Sequence, residues 1–312
     1  MDRSLCKIWL AAILEMRLAR TVPLVSVILP TCDRPVLLQR AVDSVLGQSE
    51  RDFELLVVDN NRTTTPLRAG GTPEWAADPR VTVLRAASAA NAGAARNVGL
   101  DAARGEWIAF LDDDDSFRAE KLRRQIEGAG PSPVVLCGAL YHVRGRERLV
   151  QVSARSFSGD QLLCEARWGA PFLMHRRADG VRHDEDLFAG EDAHYAQRLL
   201  IRFGLREVPV VGIPLIDVYQ DRQDSSRTNT KGDALWGASR RVLAQFGPRY
   251  SRVARRLYLL RAMVTRAKLM GRPLTCAALA TTLLRAGGLS QARFAANAFA
   301  VATGFGRGHW VT

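Results

Sequence analysis

Four consecutive carboxylates follow an apolar run in the first half of the chain. The run W-I-A-F-L occupies residues 107–111, and the acids at 112–115 come directly after it. Four adjacent like charges repel one another and lose hydration on burial, so they need a cationic partner. A hard divalent ion with oxygen ligands is such a partner. The pattern therefore predicts a metal site that begins where a buried strand ends.

Three other structures would also place acids after a strand. A polar loop that caps the predicted helix Ala119–Gln125 stays open as an alternative. A calcium loop needs Gly at its sixth position and Glu at its twelfth, where this chain has Phe117 and Arg123. A phosphatase that forms an aspartyl-phosphate usually carries its D-x-D after its first strand, whereas here the acids follow roughly the fourth.

Strands and helices alternate around these acids. Buried strands are predicted at Leu24–Leu29, Phe53–Val58, Val81–Leu84 and Trp107–Leu111, and helices at Arg34–Leu46 and Asn91–Ala103. This order predicts an α/β fold with a Rossmann-like, mostly parallel sheet flanked by helices and joined by right-handed crossovers.

Acids follow three of the predicted strands, at Asp33, at Asp59 and at 112–115. Because ligands of open α/β sheets bind beyond the carboxyl ends of the strands, we expect these acids to share one site. Neither G-x-G-x-x-G nor G-x-x-x-x-G-K-[S/T] occurs, so a dinucleotide fingerprint and a P-loop are excluded.

The second half of the domain is less regular. Strands are predicted at Val134–Val143 and Leu149–Val152 and a strand pair at Val208–Val218, with an irregular stretch at Ser153–Arg182. Phe188–Arg202 contains a helix that Glu191 and Asp192 open. Acids in a first helical turn are favoured by the helix dipole, so a purely structural role for this pair stays open.

Charge and cysteine content describe the chain as a whole. The formal net charge is +12, but no Asp or Glu follows Asp233, whereas thirteen Lys and Arg do. The part before it is close to neutral. The five cysteines are scattered without a C-x-x-C pair, which predicts neither a zinc site nor a disulfide framework and favours a reducing cytosol.

The basic tail is predicted to be a helical appendage. Arg252–Arg272 reads as a helix with an apolar stripe between cations, which suits an anionic membrane surface. Packing of this helix on the domain is the alternative, and nucleic acid is disfavoured because few aromatics are available to stack on bases. Ile8–Leu14 is predicted to belong to an amphipathic lead-in and is too short to span a bilayer. The predicted divisions are 1–22, 23–235 and 236–312.

Five segments occur in an order and at spacings similar to those of a known family. They are V-S-V-I-L-P-T at 25–31, E-L-L-V-V-D-N-N at 54–61, N-A-G-A-A-R-N-V-G at 91–99, G-E-W-I-A-F-L-D-D-D-D at 105–115 and G-E-D at 190–192. On these segments the chain resembles the inverting family 2 glycosyltransferases, which have the GT-A fold. The resemblance covers about Val25 to Arg227.

The resemblance implies a role for each matching residue. It implies that Asp114 binds Mg²⁺ or Mn²⁺, and that Asp192 is the catalytic base with Glu191 beside it. The residues implied to bind the nucleotide-sugar are Pro30, Thr31, Asp33, Asp59, Asn60, Arg96, Asp112 and Asp113. Cys32 stands where the family often has an aromatic residue, and Asn60 where it commonly has Asp.

The resemblance also implies an activity and a cellular process. The activity is transfer of a sugar from a nucleotide-diphosphate sugar, with UDP favoured, to a saccharide or lipid-linked acceptor hydroxyl, with inversion. The implied process is synthesis of a cell-envelope polysaccharide or glycolipid in the cytoplasm, at the inner face of the membrane. A non-catalytic, nucleotide-binding membrane-surface scaffold and an HAD-like phosphatase are the alternatives.

Overall fold

The computed structural model contains a ten-stranded sheet flanked by helices. It describes residues 22–61, 73–143, 145–150, 155–164, 169–220 and 232–269. The strands are β1 (Val25–Thr31), β2 (Phe53–Asp59), β3 (Val81–Arg85), β4 (Trp107–Phe110), β5 (Ser116–Phe117), β6 (Val134–Val143), β7 (Arg146–Val150), β8 (Ser156–Ser158), β9 (Leu173–Arg176) and β10 (Glu207–Gln220). The helices are α1 (Pro35–Leu46), α2 (Ala92–Ala102), α3 (Lys121–Ala129), α4 (Gly159–Cys164), α5 (Glu191–Arg202), α6 (Gly232–Phe246) and α7 (Arg252–Leu269).

The part of the sheet that carries the acids is parallel. The strand order begins β3-β2-β1-β4, and neighbours in this run are parallel. Thr31 lies opposite Asp59, and Ile28 lies opposite Phe110. The carboxyl ends of β1, β2 and β4 therefore meet at one edge, as the sequence predicts, and the sheet is mixed beyond β4.

Strand β1 is buried on both faces because helices cover both sides of the sheet. Val27 and Leu29 belong to the same buried cluster as the apolar side of α1. Ile28 faces the opposite way, towards α2, where a Cβ on Gly99 would lie 2.4 Å from Ile28 Cγ2. The small residues of α2 thus allow this helix to approach the sheet closely.

Some elements differ from the sequence-based expectation, and β9 and β10 are the largest differences within the sheet. The stretch predicted to be irregular contains β9, which lies between β4 and β6 and is antiparallel to both. Its four residues are too few to show a period. The strand pair expected at Val208–Val218 is the single fourteen-residue strand β10, whose register shifts on either side of Pro214. The strand predicted at Leu149–Val152 is β7, which begins three residues earlier, ends two residues earlier and pairs with β6.

The C-terminal helices pack on the rest of the protein over the residues that are described. Val242 and Phe246 of α6, together with Tyr250 and Ala254, form a buried cluster with Leu163. On the predicted membrane stripe of α7, Leu260 is 2% exposed, whereas Val253 is 40% exposed.

Part of α7 therefore packs on the rest of the protein, which is the alternative to membrane contact. The sequence also predicts helices at Thr275–Ala286 and Ser290–Gly304, and these, like the lead-in up to residue 21, lie outside the described residues. Helix α6 crosses the boundary predicted between 235 and 236. Among the described helices, none has the length and hydropathy that a membrane span requires.

Candidate active site

Asp113 joins the ends of β1 and β4. Its Oδ2 accepts a hydrogen bond from Thr31 Oγ1 at 2.8 Å and another from the main-chain N–H of Cys32 at 3.4 Å. Arg34 Nη1 donates to its Oδ1 at 3.2 Å. Burial raises the pKa of Asp113 to about 6, although Arg34 and Thr31 act in the opposite direction. The carboxylate of Asp113 therefore holds the loop after β1.

The end of β2 is tied to the same loop. Asp59 is 2% exposed, and its Oδ2 lies 2.9 Å from Arg85 Nη1. Its Oδ1 accepts the main-chain N–H of Asn61 at 3.0 Å, and Asn61 Oδ1 accepts the main-chain N–H of Asp33 at 2.7 Å. Asp33 has a positive φ of 55° and an exposed side chain. Asp59 thus fixes the loop, and Asp33 faces solvent at its tip.

Two further predicted residues, Asn60 and Pro30, lie at the same edge of the sheet. Asn60 donates its main-chain N–H to Thr31 O at 2.9 Å. With its side-chain nitrogen oriented towards them, it also donates to the carbonyls of Ala86 and Ala89, at 2.8 and 3.0 Å. Pro30 is buried within β1. Asn60 therefore closes the wall between β1 and the segment after β3.

The acidic turn, residues 112–115, follows β4, and its four carboxylates point in two directions. Asp112, Asp114 and Asp115 each offer an oxygen, and these atoms lie within 4.8 Å of one another. Asp113 points instead to the loop after β1. Carboxylate oxygens are the donors that hard divalent cations such as Mg²⁺ prefer, so this group has the chemistry of the implied metal. The predicted ligand Asp114 belongs to it, and so does Asp115, to which the resemblance assigns no role.

Arg96 connects the acidic turn with the start of α5. It is 2% exposed, and its Nη2 donates to Asp112 Oδ1 at 2.6 Å. Its Nη1 donates to Asp192 Oδ1 at 3.0 Å and to Glu191 Oε1 at 3.4 Å. Burial alone would lower the pKa of Arg96, but the three carboxylates outweigh it and raise that pKa. The Arg96 guanidinium therefore donates hydrogen bonds to two groups of acids that lie far apart in sequence.

Asp192 contacts other elements rather than its own helix. Its Oδ2 accepts the main-chain N–H of Ala170 at 2.9 Å, while Gly190, with a φ of 75°, precedes the helix. Burial raises the pKa of Asp192 to about 7, against the lowering effect of Arg96 and with the repulsion of Glu191. A carboxylate that titrates near neutral pH suits a general base.

Three cations at this edge have no signal in the sequence pattern. Arg34 and Arg85 pair with Asp113 and Asp59, as described above. Arg40 Nη2 donates to the main-chain oxygen of Asp114 at 2.6 Å across 74 positions of sequence. The sequence pattern of an amphipathic helix does not show whether one of its surface arginines contacts a distant loop. Only the fold therefore reveals these contacts.

Two curated relatives illustrate what the chain is similar to. It is 43% identical over 91 residues to the succinoglycan biosynthesis protein ExoO of Rhizobium meliloti, a match that covers 29% of this chain and 25% of that protein. It is 33% identical over 107 residues to the GalNAc(5)-diNAcBac-PP-undecaprenol beta-1,3-glucosyltransferase of Campylobacter jejuni, over 34% of this chain and 35% of that protein. Both matches span well under half of the relative's length.

A solved structure shows the fold. S. aureus TarS 1–349 matches with a TM-score of 0.57 at 16% identity, over 92% of this chain and 93% of that chain. The same TarS fragment is also known in complex with UDP and with UDP-GlcNAc. The likeness in fold confirms the predicted GT-A architecture.

The sequence also matches a family description over the region that carries the acidic turn and Arg96. The match to Glycosyl transferase family 2 runs over residues 26–188, just over half of the 312-residue chain. It includes β1, β2, β4, the acidic turn and Arg96. The chain belongs to glycosyl transferase family 2.

Proposed function

We propose that this protein transfers a sugar from a UDP-sugar to an acceptor hydroxyl, with inversion and with the help of a divalent metal. The observation that carries the proposal is the Arg96 bridge between Asp112 and Asp192. It brings an acidic turn suited to a metal and a carboxylate suited to proton transfer to one buried guanidinium. A sugar donor and its acceptor need these two functions side by side.

The donor lies over the carboxyl ends of β1 and β2. In this proposal Asp59 and Asn60 meet the nucleoside, and the loop at Pro30, Thr31 and Asp33 forms the neighbouring wall. Asp112 and Asp113 approach the ribose and the diphosphate. The complexes of TarS with UDP and UDP-GlcNAc support a uridine nucleotide, because TarS shares this fold. The clustering of these side chains at one sheet edge is the structural support.

The acidic turn holds the metal. Asp114 is the proposed ligand of Mg²⁺ or Mn²⁺, and Asp112 and Asp115 lie close enough to assist. A divalent cation bound there supplies Lewis-acid stabilisation of the charge that develops on the leaving diphosphate. Arg34, which lies 3.6 Å from Asp114 Oδ2, adds a fixed positive charge on the same side.

Asp192 is the proposed base. It removes the proton of the acceptor hydroxyl as that oxygen attacks the anomeric carbon, which contributes roughly 10²- to 10⁴-fold to the rate. Attack from the face opposite the diphosphate inverts the anomeric centre. Arg96 keeps Asp192 ionised to a lower pH than burial alone would allow. The negative charge of Glu191, beside it, disfavours the ionised form of Asp192 and so raises the pKa of Asp192.

The acceptor is proposed to be a saccharide or a lipid-linked saccharide of the cell envelope, and the enzyme to be of the hexosyltransferase type. One relative is named for succinoglycan biosynthesis, and the other for an undecaprenol-linked acceptor.

We further propose a catalytic domain at 23–235 and a basic helical region at 236–312. Because that region has Lys and Arg but no Asp or Glu, we propose peripheral contact with the anionic inner face of the cell membrane.

A ligand screen tests the proposal. The full chain should be melted with UDP-, GDP- and dTDP-sugars, each with Mn²⁺ or with EDTA, because a ligand that binds only the native state raises apparent stability. We expect a UDP-sugar to raise the melting temperature in the presence of Mn²⁺ and to do so much less in EDTA. The variant Asp114→Asn should lose that difference. Equal shifts with and without metal would overturn the metal assignment.

A further inference from the structure

Arg40 of α1 reaches the backbone of the acidic turn. Its Nη2 donates to the main-chain oxygen of Asp114 at 2.6 Å. Its guanidinium carbon also lies 3.6 Å from the centroid of the Tyr219 ring, which is a close cation–π contact. The planar guanidinium therefore connects the end of β10 with the backbone of the turn.

Tyr219 is itself fixed on two sides. Its ring stacks on His142 of the neighbouring strand β6, with centroids 4.6 Å apart and planes 13° from parallel. His142 Nε2 lies 2.9 Å from Asp217 Oδ1, which holds the imidazole. The main-chain N–H of Tyr219 donates to Asp115 Oδ1 at 3.1 Å. Tyr219 therefore forms a platform that is attached both to the sheet and to the turn.

We propose that Arg40, held on Tyr219, is a positioning residue of the divalent-metal site. It fixes the Asp114 carbonyl and so sets the direction in which the Asp114 side chain leaves the backbone. This inference rests on the proposed metal-dependent function. In the described structure the hydrogen bond of Arg40 to Asp114 goes to the main chain, so it orients a ligand without occupying a ligand position.

A positioning role and a purely electrostatic role predict opposite results. If Arg40 acted only through its charge, it would repel a divalent cation, and removing the charge would tighten metal binding. If Arg40 positions Asp114, removing it loosens the turn and weakens binding. Lysine keeps the charge but has neither the planar fork nor the stacking surface, so it should not restore the site.

The test is direct Mn²⁺ binding by the full-length protein without donor. Free Mn²⁺ is measured by electron paramagnetic resonance for wild type, Arg40→Gln and Arg40→Lys, and melting in EDTA reports on folding. We expect both variants to bind Mn²⁺ about 10- to 100-fold more weakly, the range found when groups that orient metal ligands are removed. Arg51→Gln is the matched control, since Arg51 Nη1 also donates to a main-chain oxygen, that of Leu46, at 2.9 Å on the exposed surface.

The platform provides a second set of variants, which keeps the test valid if Arg40→Gln folds poorly. Tyr219→Leu should weaken Mn²⁺ binding, whereas Tyr219→Phe, which keeps the ring, should not. Arg40→Gln combined with Tyr219→Leu should be little worse than either change alone, because both act through one contact. Equal or tighter binding by Arg40→Gln would overturn this inference while leaving the metal site standing. A wild type that does not bind Mn²⁺ would overturn the metal proposal and this inference with it.

Discussion

Arg96 Nη1 lies 3.0 Å from Asp192 Oδ1, and the Arg96 side chain is 3% exposed whereas that of Asp192 is 19% exposed. The other terminal nitrogen of the same guanidinium is bound to Asp112 in the acidic turn. The proposed base and the acidic turn are therefore joined through one guanidinium.

The first prediction concerns the pH dependence of activity. Because Asp192 must be ionised to accept a proton and its pKa is raised to about 7, kcat/KM should rise with pH through that value and level off above it. Arg96 lowers this pKa, so Arg96→Met should move the rise to higher pH as well as reducing its height. A pH profile of kcat/KM for both proteins checks this. An unchanged midpoint in Arg96→Met would contradict the assigned contact.

The second prediction separates catalysis from stability at Asp192. Asp192→Asn should keep donor and Mn²⁺ affinity near wild type while kcat falls by roughly 10²-fold or more. The folded protein binds the Asp192 proton more tightly than the unfolded chain, whose pKa is near 3.8, so ionisation lowers stability as pH rises from about 4 to about 7.

Thermal melts across pH complete this prediction. Asp192→Asn cannot ionise, so its melting temperature should exceed that of wild type at pH 8, and the gap should close towards pH 4. A variant that keeps full turnover but loses stability would show that the residue has only a structural role.

The third prediction concerns Asp114. Asp114→Asn removes one negative charge from a crowded acidic turn, so the fold should survive while Mn²⁺-dependent donor binding falls by at least tenfold. Calorimetry with UDP in Mn²⁺ measures the loss. Asp43→Asn, at an exposed carboxylate that accepts from Gln39, is the control and should bind as wild type does. Unchanged binding by Asp114→Asn would show that Asp114 is not the metal ligand.

The sequence predicted the parts of this protein that are local and periodic. Strand β4 was recognisable because its apolar run is buried on both faces, and the helix that Glu191 opens was recognisable from its period. The convergence of acids followed from the parallel order of β1, β2 and β4, since parallel strands share an edge. The family followed from the motifs, because the residues that carry the resemblance lie in continuous segments.

Other features depend on contacts that no local pattern encodes. Strand β9 is four residues long, and its place between β4 and β6 is decided by backbone pairing rather than by periodicity. The resemblance implied a nucleotide contact for Arg96, but no local pattern indicated its bridge to Asp192, which spans 96 positions. The strand pair expected at Val208–Val218 is one strand, because β10 continues through Pro214 with a shift of register on either side of it.

The fourth prediction concerns the basic region. Full-length protein should co-sediment with vesicles containing anionic lipid at low salt, and binding should weaken as salt screens the charges. Arg252 and Arg256 are exposed on α7, so replacing both with Glu should reduce binding by severalfold. The control Arg51→Glu, on the catalytic domain, should bind as wild type does. Binding that is absent at low salt would show that these helices serve packing alone.

The most direct test of the central claim is to identify the products formed from the donor. A UDP-α-sugar incubated with the protein, Mg²⁺ and water as the acceptor can be followed by proton NMR before the sugar anomers equilibrate. We predict release of UDP together with the β anomer, and loss of both with EDTA, in Asp192→Asn and in Asp114→Asn. Release of UMP, first appearance of the α anomer, or turnover that persists in Asp192→Asn would contradict an inverting, metal-dependent transfer with Asp192 as base.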